Sequence, residues 1–130
     1  PIRGANATLF DVPALANQIN AADFDSIIVI GGLGAAMFNN DLVVLNLLRD
    51  ASQKRKIIGA TSSGVLVLGN AGILRGVKVA CPVELSTSVT QTGAVYSTAP
   101  IEENLRIITC AGPQVARNFA TALADAILGR

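Results

Sequence analysis

Ser62 and Ser63 are the residues whose type and setting best suit chemistry, inside the stretch Ile57-Ile58-Gly59-Ala60-Thr61-Ser62-Ser63-Gly64-Val65-Leu66-Val67-Leu68-Gly69. An apolar strand stops abruptly, small residues turn it, and an apolar helix follows. Such a strand-to-helix elbow holds a nucleophile at its tip. Bulky side chains would block the bend, and the free backbone N–H groups at the new helix start can stabilise a developing oxyanion. A second reading stands beside it: serine at an N-cap accepts a bond from an otherwise unpaired backbone N–H, and the two serines then only cap the helix. The sequence has two cysteines, Cys81 and Cys110, in no metal-ligand spacing, and no histidine. Neither a zinc site nor a Ser-His-Asp triad can therefore be built from this chain alone. Cysteine usage of this kind suits a reducing, cytoplasmic setting.

The elements that must position these groups alternate between helix and strand. Asp11 to Ile19 has a proline near its start and apolar residues at helical spacing, which predicts a short helix. Ser26 to Ile30 is a continuous apolar run stopped by Gly31-Gly32-Leu33-Gly34, as expected of a parallel strand buried on both faces. That glycine cluster lacks the lysine of a P-loop and the spacing of a dinucleotide fingerprint. It reads better as a tight turn at a strand's carboxyl end, where open α/β sheets place their crevice.

Asn40-Asp41 caps a helix over Leu42 to Ala51, and Lys56 to Ala60 is the strand that enters the elbow. Val77 to Cys81 alternates like a strand, and Glu84 to Thr92 gives a short helix. Gly93 to Thr98 and Leu105 to Thr109 read as strands joined by a hairpin-like turn through Pro100 and Glu102-Glu103-Asn104. Pro113 opens a last helix that runs to Leu128 and stops at Gly129. The pattern is that of an α/β sheet between helices.

Length and composition fit this reading. At 130 residues, half of them apolar, the chain makes a single domain over 1–130 with a real core. No unbroken apolar run approaches the roughly 18 residues needed to cross a bilayer, so no membrane association is expected. The net charge is +1, and the only basic run, Lys54-Arg55-Lys56, lies between a helix and a strand, where solvated charge is ordinary. Nucleic acid is not an expected partner.

Four segments in order, "DSIIVIGGLG" at Asp25 to Gly34, "GATSSG" at Gly59 to Gly64, "AGILRGVKV" at Ala71 to Val79 and "ITCAGP" at Ile108 to Pro113, precede an alanine-rich closing helix. Together they resemble the ThiJ/PfpI family, within the class I glutamine-amidotransferase-like fold, over nearly the whole chain. The resemblance implies a flavodoxin-like three-layer sandwich with a mostly parallel sheet, incomplete here at the N-terminus. It also implies a homodimer, no cofactor and no metal, and a cysteine at the elbow tip. Family activities include glyoxalase and deglycase chemistry on reactive carbonyls, isonitrile hydration, holding-chaperone behaviour and peptidase activity.

Three departures from the family pattern matter. The elbow reads Ala-x-Cys-x-Gly in the family, so its cysteine corresponds to Ser62 and the frequent following histidine to Ser63. A hydroxyl needs an adjacent base where a thiolate attacks unaided. The family's partly buried carboxylate comes from an N-terminal strand and helix expected before Pro1, and neither Asp11 nor Asp23 lies in a matching context. In the Parkinson-linked branch a histidine precedes the proline matching Pro82, and that position is Cys81 here.

On this alignment Cys81 faces the same pocket as Ser62. It is then a relocated nucleophile or redox-sensitive thiol, with Ser62 and the Ser63 N–H as polarising partners and the backbone of Gly32 and Leu33 as the other oxyanion donor. The alternative is a buried cysteine acting as a small hydrophobe, as Cys110 is expected to be. An uncovered sheet would call for a separate N-terminal chain, a longer native polypeptide or a rearranged dimer.

The leading expectation is a family member with altered or lost cysteine chemistry. It would retain a pocket for a small carbonyl or acyl ligand built from Gly32, Leu33, Ser62, Ser63 and Cys81. The alternatives are a cofactor-independent glyoxalase, deglycase or hydrolase, in which Ser62 or Cys81 attacks with a base from a missing segment or partner chain, and a holding chaperone or stress-response binding protein.

Overall fold

The computed structural model describes residues 2–3, 9–10, 26–31, 39–104 and 106–129. Two short strands, β1 (Ile2–Arg3) and β2 (Leu9–Phe10), form an antiparallel pair. The helix expected over Asp11 to Ile19 lies outside the described residues.

The main sheet is built from β3 (Ser26–Val29), β4 (Ile57–Thr61), β7 (Ile101–Asn104) and β8 (Ile107–Cys110), in the order β3-β4-β8-β7. β3 and β8 both run parallel to β4, with Val29 opposite Ala60 and Thr61 opposite Cys110. The side-chain period of two sorts these strands onto two faces. Ile58, Ala60 and Ile107 point into one apolar cluster with Val29, while Ile108 and Cys110 point into a second with Phe119 and Leu123. The product is a three-layer α/β sandwich with a mostly parallel sheet.

The first layer holds α1 (Leu42–Gln53) and α2 (Gly64–Asn70). Asp41 caps α1 by accepting from the N–H groups of Val43 (3.0 Å) and Val44 (3.4 Å). Leu45, Leu48 and Ala51 form its buried stripe, whereas Leu42 stays exposed. The opposite layer is α4 (Ala116–Leu128), which follows a 3-10 turn opened by Pro113. It buries Phe119 and Leu123 and ends at Gly129, whose φ of 74° suits a residue without a β-carbon.

β5 (Lys78–Ala80) and β6 (Val95–Ser97) form a separate parallel pair, joined by a 3-10 turn and α3 (Ser86–Gln91). β5 packs against β7 and β8, and the Ala80 N–H donates to Thr109 Oγ1 at 2.8 Å in a buried bond. This pairing corrects the hairpin expected from the sequence. β6 joins β5 in parallel, and Glu102-Glu103-Asn104 belongs to strand β7, which pairs antiparallel with β8. The polar run is the last strand in the order of the main sheet, where the Glu102 carboxylate accepts from the Ser97 hydroxyl, and polarity alone makes it look like a turn. No helix among the described residues is long and apolar enough to cross a membrane.

Candidate functional site

β4 delivers its last residue, Thr61, to a turn made of Ser62 and Ser63, and α2 starts at Gly64. Ser62 has φ 51°, in the left-handed region. A side chain there crowds its own backbone at a cost of about 1–2 kcal/mol, so neighbouring contacts must hold the conformation. Several do. The Ser62 N–H donates to the Cys110 carbonyl at 2.8 Å, and the Ser62 carbonyl accepts from the Val65 N–H at 3.2 Å. The Gly31 N–H donates to Thr61 Oγ1 at 2.8 Å, tying the end of β3 to the end of β4.

Two glycines make this approach feasible. A β-carbon on Gly31 would lie 2.3 Å from the Thr61 carbonyl oxygen and 2.8 Å from Ser62 Cβ; one on Gly64 would lie 2.5 Å from the Val29 carbonyl oxygen. Both collisions involve backbone, which cannot step aside as the end of a flexible side chain can. Ser63 takes the N-cap position of α2 but makes no side-chain capping bond. The capping role considered for the serines is thus not the one Ser63 plays.

A cavity of about 520 Å³ opens beside Ser62 on the α4 face of the sheet. Ser62 and Thr61 stand at its wall with Ile28 and Ile30 of the β3 segment, and Phe119 and Leu123 of α4 face them. Cys110 and the Gly112-Pro113 turn complete it. No charged side chain lines this cavity among the described residues. It can take a small, largely apolar molecule with its polar group at the serine.

The candidate residues from the sequence are placed as follows. Ser62 and Ser63 are half-buried at the turn, and Ser62 lines the cavity. Gly32 and Leu33 lie outside the described residues, as do Asp11 and Asp23. Cys81 is 2% exposed within the cluster beneath α1 and α2 and does not line the cavity that holds Ser62. Burial pushes its thiol above the ordinary value, and the nearby Glu84 carboxylate adds to the effect.

The thiol beside Ser62 is Cys110, fully buried among Ile108, Phe119 and Leu123. Its Sγ–H points to the Gly112 carbonyl at 3.6 Å, and burial raises its pKa as well. Cys110, Thr61, Ile28, Ile30, Phe119 and Leu123 are among the cavity residues that sequence reasoning missed. Strand parity carried the signal, since Cys110 lies two residues beyond Ile108 and opposite Thr61. Among the described residues no three His, Cys, Asp or Glu side chains gather as metal ligands would.

Comparison with known proteins gives the fold and elbow a context. Over 113 residues the chain is 28% identical to an uncharacterized protein of Methanocaldococcus jannaschii, covering 85% of this chain and 55% of that one. It is 26% identical over 129 residues to the glutathione-independent glyoxalase DJR-1.2 of Caenorhabditis elegans, covering 99% of this chain and 69% of the relative. The chain thus spans little more than half of the first relative's length and about two thirds of the second's. Among solved structures, the ThiJ/PfpI domain protein of Brachyspira murdochii superposes with a TM-score of 0.94 at 23% identity, over 98% of this chain and 74% of that one. Drosophila melanogaster DJ-1beta superposes with a TM-score of 0.78 at 25% identity, over 85% of this chain and 60% of that one. The family model described as the DJ-1/PfpI family matches residues 1–126, and the chain belongs to that family.

Proposed function

We propose that this protein is a DJ-1/PfpI member in which the elbow's cysteine chemistry is altered or lost while a pocket for a small carbonyl or acyl compound is kept. In this reading Ser62 meets the ligand and the backbone N–H of Ser63 polarises its oxygen, with Gly32 and Leu33 as the further donors that the family resemblance implies, while Cys81, buried away from this cavity, takes no part. One observation carries it. Ser62 occupies the strained tip of the elbow and opens on an apolar cavity whose described lining offers no base. General-base assistance is worth about 10²–10⁴-fold, so a hydroxyl without it is nearly silent as a nucleophile.

The likeness to the Caenorhabditis elegans glyoxalase favours a second reading. There the protein is a cofactor-independent glyoxalase, deglycase or hydrolase, and Ser62 or Cys81 attacks with a base from another segment or a partner chain, for instance within a homodimer. Burial of Cys81 weighs against a thiolate at neutral pH and puts Ser62 first.

Methylglyoxal turnover by the wild type, Ser62→Ala and Ser62→Cys separates the two. Under the first reading wild type and alanine variant are equally inert, and activity emerges only when sulfur is restored. Under the second, the alanine variant drops by at least about 10²-fold. A robust wild-type activity indifferent to Ser62→Ala defeats the first reading and Ser62 as the nucleophile of the second, and Cys81→Ala then tests the thiol.

A further inference from the structure

A second cavity, about 410 Å³ in volume, lies at the other end of the sheet from Ser62, at the amino ends of β4 and β8. Its floor includes Ile58 and Ile107, both buried, and Arg55, Lys56 and Arg106 line it with Ser52. Three cationic residues line one apolar-floored hollow, and no carboxylate is among its described lining residues.

The usual partners for such charges are absent among the described residues. Of the run Lys54-Arg55-Lys56, Lys54 is neutralised by Asp50 at 2.6 Å, and no ion pair involves Arg55, Lys56 or Arg106. The carbonyls that end α1 do not need them either. Those of Asp50, Ser52 and Ala51 accept from the backbone N–H groups of Lys54, Arg55 and Lys56. Arg55 moreover has φ 58°, a conformation that glycine or asparagine would hold at lower cost. A long cationic side chain stands where the backbone favours a small one.

We infer that this hollow binds a small organic phosphate monoester. The guanidinium groups of Arg55 and Arg106 match a dianionic phosphoryl group through charge-assisted hydrogen bonds. Lys56 adds a point charge, the Ser52 hydroxyl adds a neutral donor, and the isoleucine floor takes the organic part. The site is remote from Ser62 and independent of the chemistry proposed there.

Phenyl phosphate titrated into the full chain, followed by amide chemical shifts and by calorimetry, tests it. Saturable binding is expected, with shifts centred on residues 52–58, 73–77 and 106–107 and an affinity at least about tenfold above that of inorganic phosphate, which cannot use the floor. Arg55→Gln and Arg106→Gln should each weaken it about tenfold, and added salt should weaken it further. Ser62→Ala should leave it unchanged. Both arginines are exposed, so the variants are expected to fold, and their thermal unfolding verifies this. No saturation by about 10 mM, equal affinity for phosphate and phenyl phosphate, or undiminished affinity in folded arginine variants would each overturn the proposal. Phenylacetate binding as tightly as phenyl phosphate would also overturn it, since the site would then read only an apolar anion.

Discussion

Ser62 marks the place where the local backbone has been bent against its preference, and that makes its conformation testable apart from its chemistry. Glycine has no β-carbon to crowd at φ 51°, so Ser62→Gly is expected to match the wild type or exceed it by up to about 1 kcal/mol in urea unfolding. Ser62→Val should lose about 1–2 kcal/mol, because a branched side chain suits the left-handed region worst. Equal losses from both would mean the tip is not left-handed. Gly64→Ala should cost about 1–3 kcal/mol, since the added carbon meets the Val29 carbonyl rather than a side chain that can turn away. The small residues around the tip were legible in the sequence because only they fit a tight elbow. The cavity wall was not. Ile28, Cys110 and Phe119 come from three elements far apart in the chain, and only the register between strands brings them together.

At the level of elements, the chain reads well where one apolar period dominates and poorly where pairing decides. The β3 and β4 runs, the Asp41 cap and the closing helix follow from the apolar pattern, although Ile28 and Ile30 are exposed where the first run predicts burial of both faces. The partner of β6 does not, because three residues of alternating pattern fit an antiparallel hairpin and a parallel pair equally well. What fastens the β5–β6 pair to the sandwich includes a side-chain bond that no pattern reveals, from the Ala80 N–H to Thr109 Oγ1. Thr109→Val keeps the shape and strands a buried N–H, so a loss of about 1–3 kcal/mol is expected in denaturant melts. Faster amide exchange at Ala80 and its neighbours should accompany it.

Taken whole, the molecule has two apolar layers on one sheet, and each holds a single buried thiol, Cys81 beneath α1 and α2 and Cys110 beneath α4. Both are pushed above the ordinary value of 9.0 by burial. The folded chain therefore keeps its thiol protons where the unfolded chain gives them up. Stability is at full value below the unfolded pKa and declines as pH climbs through 9.0 toward the folded values. Urea midpoints taken from neutral to alkaline pH should fall, and the fall should be shallower when both cysteines are replaced by alanine. The same placement sets what oxidation can do. With the sheet between them, the two sulfurs cannot close on each other while the sandwich is intact, since a disulfide needs β-carbons only about 4 Å apart. Crosslinked species on a non-reducing gel would then come from chains that had opened, and their abundance would count unfolding events.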